Sequence, residues 1–256
     1  MYANADLTKA TQAEEVLVFA EHWRSPHRGV AARLVMDQKV TNQAVLGELD
    51  ARGIKFLTLR MRSVALQRHI AAIVPGAWRT VALDRDGAYR RPQVVDEETT
   101  LSAYPGTVRQ LNVTGLGREA ATVIITNDRA ATAKQIIERY ARRMNIEQRL
   151  AESIRSFHLD SLAGAVPLNV DLDVVLTVLA GAVCASLRRR LTGYHHATPD
   201  TLQRRFLSTT GRIVNHGQSI TVQLKRRTYS PVLRQADIPE VAVPWWGGRT
   251  LRFEFE

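Results

Sequence analysis

Two short apolar runs bracket one helical pattern within residues 32–60, and that triplet limits the fold more than any other part of the chain. ARLVMD (32–37) and IKFLTLR (54–60) lack the strict in–out alternation of a half-buried strand. Each therefore reads as a strand covered on both faces. Between them, TNQAVLGELDARG (41–53) offers Thr41 as N-cap, Ala44, Val45 and Leu49 as an apolar face, and Gly53 as C-cap. Strand, helix, strand in this order is a βαβ unit, since parallel strands need a crossover connection. The expectation is an α/β protein with helices on both sides of a sheet.

The flanking sequence adds elements to that unit. Residues 11–24 predict a helix, with Thr11 and Glu14 at capping-box spacing. Residues 62–120 change character and read as a β-rich insertion. WRTVALDRDGAYRRPQVV (78–95) alternates around Asp86-Gly87, a hairpin signal, and VRQLNVTGLG (108–117) is a further strand. ATVIITN (121–127) predicts a strand that returns to the main sheet. Two helices follow, over about 130–157 and 169–191; the second is apolar all round and is therefore expected to be buried. TLQRRFLST (201–209) has a helical pattern, RIVNHGQSITVQLKRR (212–227) a hairpin around His216-Gly217, and the close of PWWGGRTLRFEFE (244–256) a strand. No repeat or linker interrupts the chain, so residues 1–256 are expected to form one domain carrying the insertion.

Charge narrows the partners. Among 256 residues, 35 Lys+Arg stand against 25 Asp+Glu, a net +10. Arginine dominates the excess, which favours phosphate-bearing partners and DNA in particular. Cys184 is the only cysteine, which excludes an internal disulfide and fits a reducing, cytoplasmic setting. The start, MYANADLTKA, has no apolar core of the signal-peptide kind. The most apolar run, 170–187, carries Asp171 and Asp173 and is followed by three arginines, so it reads as a core helix and no membrane partner is expected.

The chemistry-bearing candidates are few. In RYARRMNIEQRLAESIRSFHLD (139–160), one continuous helix would place Tyr140, Arg143, Glu147, Leu150, Ala151, Ile154 and His158 on one side. A carboxylate facing a core must be paired or bind a metal. Asp37 ends the first buried strand, where open α/β sheets gather ligands, although aspartate is also a common turn residue. Asp37 and Glu147 could share a divalent ion, as Mg²⁺ takes one or two carboxylates plus phosphate oxygens. Equally, Glu147 could pair with Arg143 while Asp37 caps the next helix. Spacing alone leaves both open. His195-His196 are adjacent, which is not ligand spacing, and read as loop residues. Trp245-Trp246 read as packed at the start of a strand, with base stacking the alternative.

Three passages carry a family likeness. The first is LVMDQKVTNQAVLGELDARGIKFLTLR (34–60). The second is Tyr140, two residues, Arg143, three residues, Glu147. The third is FHLDSL (157–162) with PWWGGRTLRFEF (244–255). Together they resemble the C-terminal part of a DDE-class insertion-sequence transposase, whose core is RNase H-like (retroviral-integrase-like). The resemblance implies an RNase H-like fold with a β-rich insertion subdomain, and DNA transposition by metal-dependent phosphodiester cleavage and strand transfer at transposon ends. It makes Asp37 the second metal-binding aspartate and Glu147 the third acid, with Mg²⁺ or Mn²⁺ as cofactor. Tyr140 and Arg143 become phosphate contacts. The family's lysine seven positions after the glutamate is Ile154 here, and Arg155, one step later, is the candidate DNA-binding replacement, turned by about 100° on a helix. No residue matches the first aspartate: Asp6, the only aspartate before Asp37, lies in a polar stretch. The expectation is an N-terminally incomplete chain, weak in metal binding and inactive alone, or else a non-catalytic DNA-binding remnant or regulatory fragment. A different nuclease using Asp128 or Asp160 as third acid is a further alternative. The resemblance also allows a homodimer and implies a cytoplasmic, nucleoid-associated protein of a bacterium or archaeon.

Overall fold

The strand–helix–strand unit forms around a parallel pair. In the computed structural model, which describes residues 3–27, 29, 31–85, 88–117, 119–161, 164 and 166–255, β1 (Arg33–Val35) pairs in parallel with β2 (Lys55–Leu59). α2 (Gln43–Ala51) crosses between them. Its N-cap is Asn42, one residue beyond the predicted Thr41; the Asn42 carboxamide oxygen accepts from the Val45 N–H at 2.9 Å. Asn42→Ala is expected to cost about 1 kcal/mol in urea unfolding, because one orphan amide loses its acceptor. Gly53 follows the helix at φ 71°, the left-handed conformation that turns the chain back into β2.

The fold is mixed α/β, and the chain divides into two compact units, Asn4–Gln148 and Arg149–Glu256. The first holds α1 (Gln12–His27), the βαβ unit, α3 (Val64–Ala71), β3 (Arg79–Thr80), β4 (Gln93–Thr100), β5 (Thr107–Thr114), β6 (Thr122–Thr126) and α4 (Ala133–Ala141). Its sheet runs β1-β2-β6-β5-β4-β3, with every pair after β1–β2 antiparallel. The strands of the β-rich span thus continue the βαβ sheet, and β6 inserts between β2 and β5. The predicted turn at Asp86-Gly87 lies outside the described residues.

Both faces of this sheet are packed, as the unbroken apolar runs require. On one face Phe56, Val108 and Ile125 meet α1 and α2 through Ala13, Ala20, Val45, Leu46 and Leu49. On the other, Leu57, Leu111, Val113 and Ile124 meet Ile136 and Ile137 of α4. Gly47 leaves room on α2 for Pro105, whose ring carbon would lie 2.7 Å from a Cβ there.

α4 starts with a full capping box, Thr132 and Gln135. The predicted helix over 130–157 does not continue: it breaks at Arg142–Arg143, and α5 (Met144–Phe157) begins anew. Three-residue turns bridge the break, from the Arg143 N–H to the Tyr140 carbonyl at 2.9 Å and from the Asn145 N–H to the Arg142 carbonyl at 3.0 Å.

In the second unit, α6 (Pro167–Arg190), α7 (Pro199–Leu202) and α8 (Ser230–Gln235) accompany β7 (Gly211–His216), β8 (Ser219–Leu224), β9 (Val241–Val243) and β10 (Arg249–Phe255). The strands order as β7-β8-β10-β9. Leu191, Leu202, Phe206, Leu233 and Ala236 form a small core, with Cys184 half-buried against it. Burial pushes the Cys184 thiol above its ordinary pKa. The expectation that the apolar helix is buried is not met: no described residue of α6 is buried, and Leu168, Leu172, Leu176, Leu179 and Val183 are exposed. By length and composition α6 is also apolar enough to cross a membrane.

Candidate functional site

The C-terminal end of β1 delivers Asp37, and the break between α4 and α5 delivers Arg143 and Glu147. Asp37 forms a tight turn: its Oδ1 accepts from the Lys39 N–H at 2.9 Å, and its carbonyl accepts from the Val40 N–H at 3.2 Å. It does not cap α2, which is capped by Asn42. The Asp37 Oδ2 lies 3.3 Å from Arg143 Nη1, and the Glu147 Oε1 lies 2.8 Å from Arg143 Nη2. One guanidinium therefore joins two acids that stand far apart in the sequence. The i,i+4 pairing of Arg143 with Glu147 and the convergence of Asp37 with Glu147 are both present.

Glu147 does not face a core. Its side chain is half-exposed, no described residue of α5 is buried, and Leu150 and Ile154 are exposed with it. The single-helix geometry fails at the Arg142–Arg143 break. What gathers the acids is the long arm of Arg143, which lies mostly buried beneath them.

Tyr140 completes the group from below. Its ring packs into the α4 side of the core with Val35 and Leu59, and the Arg143 guanidinium carbon lies 5.5 Å from the ring centroid. Burial raises the Tyr140 pKa, with the Arg143 charge acting the other way. For Arg143, burial works against the charge, but Tyr140, Glu147 and Asp37 outweigh it and hold the pKa above the ordinary value. Tyr140 Oη and Arg143 Nε are both buried without a well-formed hydrogen bond. Arg155, exposed on α5, belongs to the second unit.

Asp128, the alternative third acid, has a different role. It follows β6 at the other end of the sheet, beside the first residues of β1 and β2, whereas Asp37 follows the last residue of β1. Its carboxylate is only 1% exposed and takes Arg33 Nη2 at 2.6 Å, Lys55 Nζ at 2.8 Å and Arg139 Nη1 at 3.3 Å. Arg109 closes the loop over it, donating to the Asp128 and Ala131 carbonyls while pairing with Asp96. Burial alone would raise the Asp128 pKa; Lys55 and Arg33 outweigh burial and hold it at about 2. Three cations neutralise this carboxylate, so it has nothing left for a metal. Asp160, the other alternative, is exposed in the second unit.

A second buried polar group lies on the β4–β5 surface. Glu97 accepts from Gln110 Nε2 at 2.8 Å and Asn112 Nδ2 at 2.7 Å and meets His69 Nε2 at 2.9 Å. Burial raises its pKa, but these partners outweigh that and leave it below the ordinary carboxylate value. Its hydrogen-bonding capacity is used by Gln110 and Asn112 of β5 and His69 of α3, so it is a structural network.

The Asp37–Glu147 pair matches Mg²⁺ or Mn²⁺ in kind, since Mg²⁺ takes one or two carboxylates from a protein. Both acids, however, already have Arg143 as counter-charge, so an arriving cation would have to displace a guanidinium. Among the described residues no three His, Cys, Asp or Glu side chains come together. No protein-family model matches the chain, and no curated protein matches it significantly.

Proposed function

We propose that this chain is a DNA-binding protein of the DDE-transposase type, with an RNase H-like plan in its first unit. In this reading the catalytic-type acids Asp37 and Glu147 are held in an arginine clasp and no longer form a metal centre. The observation that supports it most is the clasp itself, Arg143 bridging Asp37 and Glu147. Those are the residues that the sequence resemblance pairs, and they come from segments that only the fold brings together.

The residues present supply phosphate recognition. A phosphate oxygen would compete with Asp37 and Glu147 for the Arg143 guanidinium. The net charge of +10 provides the long-range attraction that brings a polyanion to the surface. Metal-dependent cleavage and strand transfer stay outside this reading, because Arg143 already engages both acids. In its host the protein would act in the cytoplasm, on transposon-end DNA.

Two measurements on the full chain test this. Fluorescence anisotropy with a short duplex should show affinity falling linearly in log–log form with salt, by about tenfold or more between 50 and 200 mM. A nicking assay on supercoiled DNA with Mg²⁺ or Mn²⁺ should show no turnover. Affinity indifferent to salt would sink the DNA reading. Nicking that Glu147→Gln abolishes would overturn the conclusion that the pair is not a metal centre.

A further inference from the structure

We infer that the second unit carries a stacking shelf for unpaired nucleobases, built by Trp246 with Trp245 beside Arg249. The inference extends the DNA reading to a second surface but uses none of the residues of the arginine clasp.

The shelf is a product of backbone geometry. After β9, Pro244–Trp246 make one 3₁₀ turn, and Gly247 and Gly248 follow at φ 67° and 73°. Two consecutive left-handed residues are tolerated there because both are glycine. The Gly248 N–H closes the loop on the Val243 carbonyl at 3.1 Å, and the chain then enters β10. Pinned in this way, the two indoles stand at the end of the sheet rather than in a core: Trp245 is 80% exposed and Trp246 47%. Packing is the sequence expectation for both, and the structure reverses it. Tryptophan is normally well buried, so two adjacent exposed indoles call for a partner.

Opposite them, the β7–β8 turn at Gly217-Gln218 forms the second lip, tied to β10 by the Thr250 N–H donating to the Gln218 carbonyl at 3.0 Å. Between the lips lies an open concavity of about 570 Å³ lined by Gly217, Gln218, Ile220, Trp246, Gly247 and Arg249. That volume falls within the range of small-ligand sites. A Cβ added at Gly217 or Gly247 would meet nothing within 4 Å, so no side chain fills the approach. The walls offer a flat indole, a guanidinium and a carboxamide. These suit, in turn, a base face, a phosphate and a base edge.

Charge selects the occupant. Arg249 is the one charged residue among those lining the concavity, with no Asp or Glu beside it there; Arg212 and Lys225 to Arg227 lie toward the far end of β7 and β8, and Arg252 stands 3.9 Å from Glu254. A neutral sugar could stack on an indole, but it would gain nothing from the charge of Arg249. In a duplex the base faces are stacked on one another, which leaves unpaired nucleotides as the ligand that uses both the indole and the guanidinium.

The test uses the full chain and oligo(dT), with a duplex of equal phosphate number for comparison. Wild type should bind oligo(dT), with quenching of tryptophan fluorescence. The double variant Trp245→Ala, Trp246→Ala should lose oligo(dT) affinity by about 10- to 100-fold while duplex affinity stays within about twofold. Trp246→Phe, which keeps an aromatic face, should retain most of the affinity, so a loss from misfolding is distinguishable from a loss of stacking. Unchanged oligo(dT) binding in the double variant would overturn the inference. So would a wild-type dimer that the double variant converts to monomer, since a second copy would then be the partner of the indoles. A wild type that ignores duplex but binds oligo(dT) at the tryptophans would sink the clasp reading and leave the shelf standing.

Discussion

Asp128→Asn is expected to destabilise the first unit by about 3 kcal/mol. The substitution leaves the side chain's size almost unchanged but removes the one negative charge that Arg33, Lys55 and Arg139 share. Breaking a buried ion pair from one side costs roughly 3–5 kcal/mol, because the remaining charge is left uncompensated. The lower end applies here. The three cations are each about a quarter to two-fifths exposed and can turn partly to water. A loss of this size should lower the melting temperature by about 6–12 °C for a chain of this length.

The same carboxylate sets an acid limit on stability. Its folded pKa of about 2 lies below the ordinary aspartate value, so its contribution is fully present above about pH 4. It is lost as pH falls from there toward 2, and amounts to roughly 2–3 kcal/mol over that window. The Asn variant should therefore unfold with a flatter pH dependence between pH 4 and 2 than wild type. Urea midpoints that fall equally for both proteins across that window would show that Asp128 is not the group responsible.

The βαβ unit was legible because its physics is local. Buried parallel strands must be apolar on both sides, and a helix between them must be amphipathic, so Leu34, Phe56, Leu57, Val45 and Leu49 announce themselves. The hairpin at His216-Gly217 was legible for a similar reason, since β7 and β8 meet at Gly217-Gln218. The break at Arg142–Arg143 was not, because neither proline nor glycine occurs in residues 133–157 to mark it. The resemblance nevertheless named Tyr140, Arg143 and Glu147 together, and the long reach of Arg143 gathers them across the break. Asp128 was visible only as an acid after a strand. The cations that claim it sit on β1, β2 and α4, and no sequence pattern joins Arg33, Lys55 and Arg139. The tryptophan pair misled in the opposite direction: residue type predicts burial, whereas the left-handed Gly247-Gly248 turn places both rings outside. α6 misled for the same reason, since an apolar helix is buried only where the fold supplies something to cover it.

Arg143→Ala is expected to turn the clasp into a cation site, with Mn²⁺ binding about 30-fold tighter than in wild type. In the native arrangement one positive charge sits within 3.3 Å of Asp37 and 2.8 Å of Glu147. At these separations the removed attraction is about 1 kcal/mol per pair at the dielectric of water and several times that nearer the protein interior. The acids are about half-exposed, so the lower figure governs, and two such pairs, about 2 kcal/mol, correspond to roughly a 30-fold change in affinity. A divalent ion would then supply the charge that the guanidinium supplied, with oxygen ligands of the kind that Mn²⁺ accepts. Titration calorimetry or Mn²⁺ spin-resonance measures this directly. Adding Glu147→Gln to the alanine variant should abolish the gain, which ties it to this pair rather than to the many surface carboxylates. The same alanine variant should bind duplex DNA more weakly, because the phosphate contact is lost along with the clasp. Cation affinity and DNA affinity should thus move in opposite directions. If both fall together, Arg143 is holding the local fold at the end of α4, and Asp37 and Glu147 are not competing with a metal for it.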